Sequence, residues 1–289
     1  MTQHDLWVHA IAVTPEQVQA FDRDGAIVLR GLFTDRAIAA LGEPTTRGLI
    51  RRGRLLDSHH DLNLSCPPVE GICRSEAFQI VAERLCGGPP VFVHGGAFVQ
   101  EPGDPGVRWH FDVYSFNFLR PEDRAWSIWI PLTPIRPRSG TGGMEYVRRS
   151  DRSAAAHFET IKEVCAMPLT QRKHIETLRE RFGGEAHYRK LEECAVAPDL
   201  DPGDALLFAK DLWHRSVPSA DDAPARRVAC SLRFIDRDAR LDRTLLEGIQ
   251  RNRFHEDEGP TKFSASLEAL SEGDLLREFL GSAAGDRSE

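Results

Sequence analysis

Eight residues constrain this chain more than any other stretch: Val107-Arg108-Trp109-His110-Phe111-Asp112-Val113-Tyr114. Val107, Trp109, Phe111 and Val113 form one row with a period of two, and Arg108, His110, Asp112 and Tyr114 the other. That alternation predicts a strand with one face packed on hydrophobic material. On a strand, residues i and i+2 point the same way, so His110 and Asp112 present an imidazole and a carboxylate side by side. Two such groups are two-thirds of the His/His/carboxylate set that holds non-haem Fe(II) on one face and leaves other positions open.

The tripeptide alone is weak evidence, because it recurs as His59-His60-Asp61 and His255-Glu256-Asp257, and as His157-Phe158-Glu159 and His174-Ile175-Glu176 with glutamate. The last two lie in helix-like sequence, where i and i+2 sit about 200° apart and cannot converge on one ion. His59 sits in a polar segment without alternation, and His255 has no histidine after it. Only His110 and Asp112 have a strand pattern under them.

The candidate third ligand is His214, which follows a Pro202-Gly203 turn, a strand and the start of another strand; the alternative is a hydrogen-bonded core histidine. Antiparallel neighbours can bring it beside His110 and Asp112 despite the intervening hundred or so residues. Arg227 opens a further strand in which Val228, Cys230, Leu232 and Phe234 form the apolar row and Arg227, Ala229, Ser231 and Arg233 the other. If the apolar row packs under outer helices, Arg227 points inward, where a guanidinium needs a planar anion. A protein carboxylate or a bound one would serve.

Around these residues the chain reads as helices first, then short strands with Pro/Gly turns. Thr14-Pro15-Glu16-Gln17 carries a capping box for a helix ending near Gly25, Ala26 to Phe33 is strand-like, and Thr34-Asp35 opens a helix to roughly Leu49. Residues 53–72 read as loop, with Pro67-Pro68 as a breaker, and Ser75 to Leu85 as a helix. Strands are expected at 91–100, 107–114, 126–132, 144–147, 205–208, 212–217 and 227–235, a helical insertion at 153–193, and one helix near 266–280 in the charged tail. The expected architecture is mainly β with flanking helices, a double-stranded β-helix (jelly roll, cupin-like) core. We divide one domain, 1–289, into N-terminal helices and an edge strand (14–88), the core (91–236) and a C-terminal tail (237–289).

The net charge of −7 argues against nucleic-acid or anionic-membrane partners. No apolar run approaches the ~20 residues a membrane helix needs. The opening Met1-Thr2-Gln3-His4-Asp5 carries no signal-peptide pattern, and the six cysteines show no metal-finger spacing. A cytoplasmic protein, monomer or homodimer, acting on a small molecule is expected.

The series His110-x-Asp112, Trp129-Ile130-Pro131-Leu132, Gly142-Gly143-Met144-Glu145-Tyr146-Val147, His214-Arg215-Ser216 and Arg227 resembles the phytanoyl-CoA dioxygenase-like family of Fe(II)/2-oxoglutarate oxygenases. The opening Asp24-Gly25-Ala26-Ile27-Val28-Leu29-Arg30-Gly31-Leu32-Phe33 resembles that family's N-terminal segment. The resemblance implies Fe(II) on His110, Asp112 and His214, with 2-oxoglutarate and O2 as co-substrates. It places Arg227 on the distal carboxylate of 2-oxoglutarate, with Trp129, Ser216 and Gln100 also against that co-substrate. Asp112 stands where halogenating relatives carry a small residue, which favours oxygen transfer. Arg148-Arg149-Ser150-Asp151 departs from the family's usual Pro-Gly-Ser-His. For the substrate, the inward rows offer Tyr114, His94, Phe98 and Arg233, with Asn117 nearby, and Arg233 would favour an acidic one. The insertion 153–193 could be a lid or a dimer contact. Two other readings share the triad: a cupin-like metalloenzyme not using 2-oxoglutarate, for which Arg227 would be dispensable, and a non-catalytic metal- or ligand-binding roll.

Overall fold

Thr14 starts the first helix through both halves of a capping box: its hydroxyl accepts from Gln17 N–H while the Gln17 side chain accepts from Thr14 N–H. In this computed structural model, which describes residues 6–47, 57–251 and 262–285, that helix is α1 (Pro15–Asp24). It ends on Gly25 in the left-handed conformation. Then follow β1 (Ala26–Leu29), α2 (Asp35–Thr46), β2 (Asp57–His60), α3 (Pro67–Cys73), α4 (Glu76–Cys86) and β3 (Val91–Gln100). Strands β4 (Ala125–Pro131) and β5 (Thr141–Val147) precede three helices, α5 (Ala155–Cys165), α6 (Gln171–Arg181) and α7 (Gly184–Glu193). The chain returns through β6 (Ala195–Val196), β7 (Ala205–Ala209), β8 (His214–Ser219) and β9 (Arg227–Ile235), and closes with α8 (Arg243–Arg251), α9 (Lys262–Ser266) and α10 (Leu276–Gly285).

The strands make two antiparallel sheets, one of order β1-β7-β4-β9-β3-β2 and one of order β6-β5-β8. The larger sheet obeys the binary pattern on both faces. Trp126, Ile128 and Ile130 of β4 and Cys230, Leu232 and Phe234 of β9 pack with Phe21, Leu41, Val69, Phe78 and Leu85 from the four N-terminal helices. Each fully buried side chain of this kind contributes roughly 1.5–3 kcal/mol, which is why those helices stay on that face. The opposite face puts Trp129, Leu206, Phe208 and Ala229 against Met144 and Tyr146 of the smaller sheet. Between the sheets the register sets His94, Phe98 and Gln100 beside Arg233, Ala229 and Arg227, with Ser127 on the other side of Arg233.

The helices of 155–193 do not stand apart from this layer. Phe158, Ile161 and Leu191 pack with Phe111 and Trp213, and the rings of Phe111 and Trp213 meet edge-on at 4.9 Å. Phe111 lies between His110 and Asp112, and Trp213 precedes His214. The helical segment therefore buttresses the backbone that carries the three candidate ligands. The Arg148–Asp151 loop is tied down as well: Arg149 N–H donates to Asp24 O (2.7 Å) and the Ser150 hydroxyl to the Asp24 carboxylate (2.8 Å).

Three expectations need correction. Residues 107–114 are not a ladder strand. Only His110 makes a bridge, to His214, and from Asp112 the chain turns, with the N–H groups of Ser115 and Phe116 both donating to Asp112 O. An aspartate at the head of a turn and the need to bury Phe116, Phe118 and Leu119 coil the chain there. Tyr114 consequently leaves the inward row and is 54% exposed. The alternation of Trp109, Phe111 and Val113 was one-sided burial without a sheet beneath it. Second, 57–72 is not loop: β2 extends the sheet edge, and Pro67 and Pro68 open α3, where a missing N–H costs nothing. Third, the tail holds α8 and α9 besides the helix that became α10; Leu245 N–H donates to the Asp242 carboxylate at the start of α8, and Leu245, Leu246 and Ile249 are buried. Residues 48–56 and 252–261, and with them His255, lie outside the described residues.

Candidate metal centre

Two backbone segments bring the ligands together. His110 N–H donates to His214 O (2.9 Å) and His214 N–H to His110 O (2.8 Å), so the two residues form a hydrogen-bonded antiparallel pair with side chains on one side. Ser216 N–H reaches Val107 O at 2.9 Å, which aligns the rest of the segment. Gly106 permits that approach, since at φ +70° an added Cβ would lie 2.6 Å from Ser216 O. The imidazole rings of His110 and His214 are 4.2 Å apart, and Asp112 Oδ1 is 3.7 Å from His214 Nε2. One ligand atom from each of His110, Asp112 and His214 lies within 4.8 Å of the others.

Each group is oriented from behind. The ring Nδ1 of His110 meets Arg108 O at 2.7 Å and that of His214 meets Leu212 O at 2.9 Å. A carbonyl can only accept, so both Nδ1 atoms carry a proton, which leaves Nε2 as the ring nitrogen each histidine can turn to a metal. The Ser127 hydroxyl donates to Asp112 Oδ2 at 2.6 Å, leaving Oδ1 towards the histidines. Burial alone would raise the Asp112 carboxyl, but His214, Arg233, Ser127 and His110 together hold it below the usual carboxylate range. Burial and the neighbouring His214 push His110 down to about 4. Two imidazoles and one carboxylate suit a divalent ion of intermediate softness with open positions remaining. The residues fit such an ion.

Arg227 lies on the same inner face and is only 3% exposed. Its guanidinium donates to Gly143 O (3.2 Å) and sits 5.7 Å from the Trp129 ring centre, while Nε has no partner. No carboxylate forms an ion pair with it among the described residues. Burial pushes it down to about 10, so it stays charged at neutral pH. Gln100, opposite it in the register, donates to Asp104 O and Val217 O and has a buried Oε1 without a partner. Ser216, half-buried, shares the β8 row with His214.

The substrate candidates scatter. His94 and Arg233 are each 7% exposed and neighbours across β3 and β9. Phe98 is half-buried on the same row, Asn117 is buried within the turn, and Tyr114 is at the surface. The residue that sequence reasoning passed over is Ser127: it stands on the inward row of β4 with Trp129, but only the register reveals that it meets Asp112.

His94 gives a pH prediction. Its ring is stacked on Phe263 at 5.4 Å with Nδ1 unpartnered, and burial with Arg233 beside it drives its pKa down to about 3. The unfolded histidine titrates near 6.5, so between pH ~6.5 and ~3 the unfolded chain binds the extra proton and stability rises with pH. Acidification from pH 7 to 5 should remove about 2 kcal/mol through this residue alone. Urea unfolding of metal-free protein at both pH values should show a shallower loss for His94→Gln; an identical loss would mean that His94 is not held neutral.

The family model described as phytanoyl-CoA dioxygenase matches residues 21–228. The ectoine dioxygenase of Sphingopyxis alaskensis is 24% identical over 236 residues, covering 74% of this chain and 73% of that protein. Among solved structures, the non-heme alpha-ketoglutarate-dependent carbocyclase SnoK from nogalamycin biosynthesis aligns with a TM-score of 0.65 at 18% identity, covering 91% of this chain and 93% of that one. EctD from S. alaskensis, solved with 2-oxoglutarate and 5-hydroxyectoine, aligns at 0.58 and 19%, covering 94% and 91%.

Proposed function

Since the chain belongs to the phytanoyl-CoA dioxygenase family, we propose that it is a non-haem Fe(II)/2-oxoglutarate-dependent oxygenase that oxidises an unactivated C–H of a small molecule. The observation that carries this reading is the convergence of His110, Asp112 and His214, together with a buried guanidinium, Arg227, that no carboxylate pairs among the described residues. In this reading the two antiparallel sheets are the halves of a double-stranded β-helix with the site between them.

His110, Asp112 and His214 would hold Fe(II), and Arg227 would take the distal carboxylate of 2-oxoglutarate. Bound Fe(II), 2-oxoglutarate and O2 supply the oxidising chemistry, with 2-oxoglutarate leaving as succinate and CO2 as substrate is oxidised. The chain's own work is placement. Trp129 packs against the guanidinium, Gly143 O accepts from it, and Gln100 offers a free carbonyl oxygen at the same end. Ser127 fixes which oxygen of Asp112 faces the ion. Proteins similar to this chain bear the names non-heme alpha-ketoglutarate-dependent carbocyclase, non-heme alpha-ketoglutarate-dependent epimerase and ectoine dioxygenase, and substrate placement would select among such outcomes here.

The test is spectroscopic and then kinetic. Adding 2-oxoglutarate to anaerobic Fe(II)-loaded protein should produce a metal-to-ligand charge-transfer absorption, and O2 should then be consumed with one succinate formed per O2. A protein that takes up Fe(II) yet shows no spectral response to 2-oxoglutarate contradicts the assignment.

A further inference from the structure

The inner face of the larger sheet carries a second buried guanidinium that the co-substrate does not need. Arg233 is 7% exposed, with Nε buried and unpartnered. It is flanked by His94 on β3 and Ser127 on β4. Among the described residues no carboxylate forms an ion pair with it. The one acidic group whose field reaches it is Asp112, whose Oδ2 accepts from Ser127 and whose Oδ1 accepts from Ser115 and faces His214. A guanidinium is too costly to bury for packing alone: the penalty is several kcal/mol per ion unless an anion meets it.

Arg233 and Arg227 stand at different ends of the β9 row, six positions and about 20 Å of backbone apart, opposite His94 and Gln100 respectively. The candidate ligands lie nearer the Arg233 end, because Ser127, its cross-strand neighbour, is the residue bonded to Asp112. The charges point the same way. A divalent ion, two guanidiniums and one carboxylate leave three positive charges, and a 2-oxoglutarate dianion leaves one. His94 adds none, being held neutral by burial.

We propose that Arg233 anchors the substrate, and that the substrate is a small molecule bearing a single oxyanion group, a carboxylate or sulfonate, close to the carbon that is oxidised. This rests on the Fe(II)/2-oxoglutarate reading for what happens next, but not for the anion site itself. The planar fork takes such a group through two parallel hydrogen bonds, and the unpartnered Nε is one of the donors available for it. The anion then fixes one end of the molecule beside the metal ligands and leaves the rest to the cavity.

The experiment uses hexanoate, hexanesulfonate and the uncharged hexanamide as probes. With anaerobic Fe(II) and 2-oxoglutarate bound, the two anions should shift the charge-transfer absorption saturably and the amide should not. Arg233→Met should weaken the anion response at least tenfold while the absorption still forms, and Arg233→Lys should restore part of it. Response to only one of the anions identifies the group. Equal response to acid and amide, or to no probe, overturns the proposal. So does loss of the absorption itself in Arg233→Met, which would make Arg233 a positioning residue for Asp112. The second arm needs no metal: equilibrium dialysis of radiolabelled hexanoate in the Arg227→Met background, where the other guanidinium is gone. Retention there and its loss on adding Arg233→Met support the anion site even if the 2-oxoglutarate reading fails. Absence of retention in that background counts against the anion site even if the charge-transfer absorption forms.

Discussion

Asp112→Ala should lose Fe(II) and turnover together, the largest effect expected of any single change. Asp112 is the sole anionic group of the three and is buried at 5% exposure. Removing one partner from a buried charge interaction costs about 3–5 kcal/mol, so Fe(II) affinity should fall by roughly two to three and a half orders of magnitude. Succinate production should fall at least as far, since the two imidazoles that remain bring no charge to offset the ion. Two controls separate ligand loss from misfolding. The first is shape: the variant leaves His110 and His214 paired through their backbones, so its unfolding should remain cooperative. The second is Asp112→Glu, which keeps the charge but moves it by about one methylene. It should bind metal yet turn over some hundredfold more slowly, the usual cost of a misplacement near 1 Å. Metal analysis of anaerobically purified protein is the deciding measurement. Wild-type iron content in Asp112→Ala would remove Asp112 from the site. Ser127→Ala should cost less, about 10–100-fold in affinity or rate, because it orients the ligand without being one.

How much of this site was legible beforehand depends on which physical signal each residue carried. β9 could be read nearly throughout: Cys230, Leu232 and Phe234 pack with the helices while Arg227, Ser231 and Arg233 lie on the other row, because a strand buried on both sides still separates apolar from polar rows. The rejection of the His-x-Glu pairs at 157 and 174 also followed from local geometry, since both lie on α5 and α6. His110 and Asp112 were found for a partly mistaken reason. Their segment is extended as far as His110 and turned after it, and one-sided burial against the insertion imitates strand alternation. The pairing of His110 with His214, the carbonyls behind their Nδ1 atoms and the reach of Ser127 to Asp112 are matters of register. Nothing in the order of residues specifies a register across a hundred positions. Helix α8 was missed because its polar residues outnumber Leu245, Leu246 and Ile249, the stripe that buries it. That insertion and tail pack behind the ligands explains why non-catalytic segments of the chain matter to the site.

Arg227→Met should move stability and function in opposite directions, which a structural arginine would not do. In protein without metal or 2-oxoglutarate, the guanidinium is a buried cation with a bare Nε and no carboxylate among the described residues. Methionine fills similar space, adapts to irregular gaps and carries no charge to desolvate. The ligand-free variant should therefore unfold at equal or higher denaturant, by up to about 1–3 kcal/mol. Binding should show the reverse. Truncating one side of a buried, hydrogen-bonded charge pair costs about 2–5 kcal/mol, so the KM for 2-oxoglutarate should rise by roughly 30- to 4000-fold. Its kcat at saturation should fall much less, since in the proposed role Arg227 would hold the end of the co-substrate far from the reacting carbon. The two effects meet in one titration. At a hundred times its dissociation constant, 2-oxoglutarate should stabilise metal-loaded wild-type protein by about 2.7 kcal/mol. The same concentration should move the variant by no more than about 0.9 kcal/mol, so wild type gains about 2 kcal/mol or more on it as ligand is added, and the order inverts once that gain exceeds the variant's ligand-free advantage. If the guanidinium were instead part of the scaffold, the ligand-free variant would be the weaker protein throughout and no crossing would occur. And if the triad served a metalloenzyme without 2-oxoglutarate, the variant would keep full activity, because nothing in its reaction would call on Arg227.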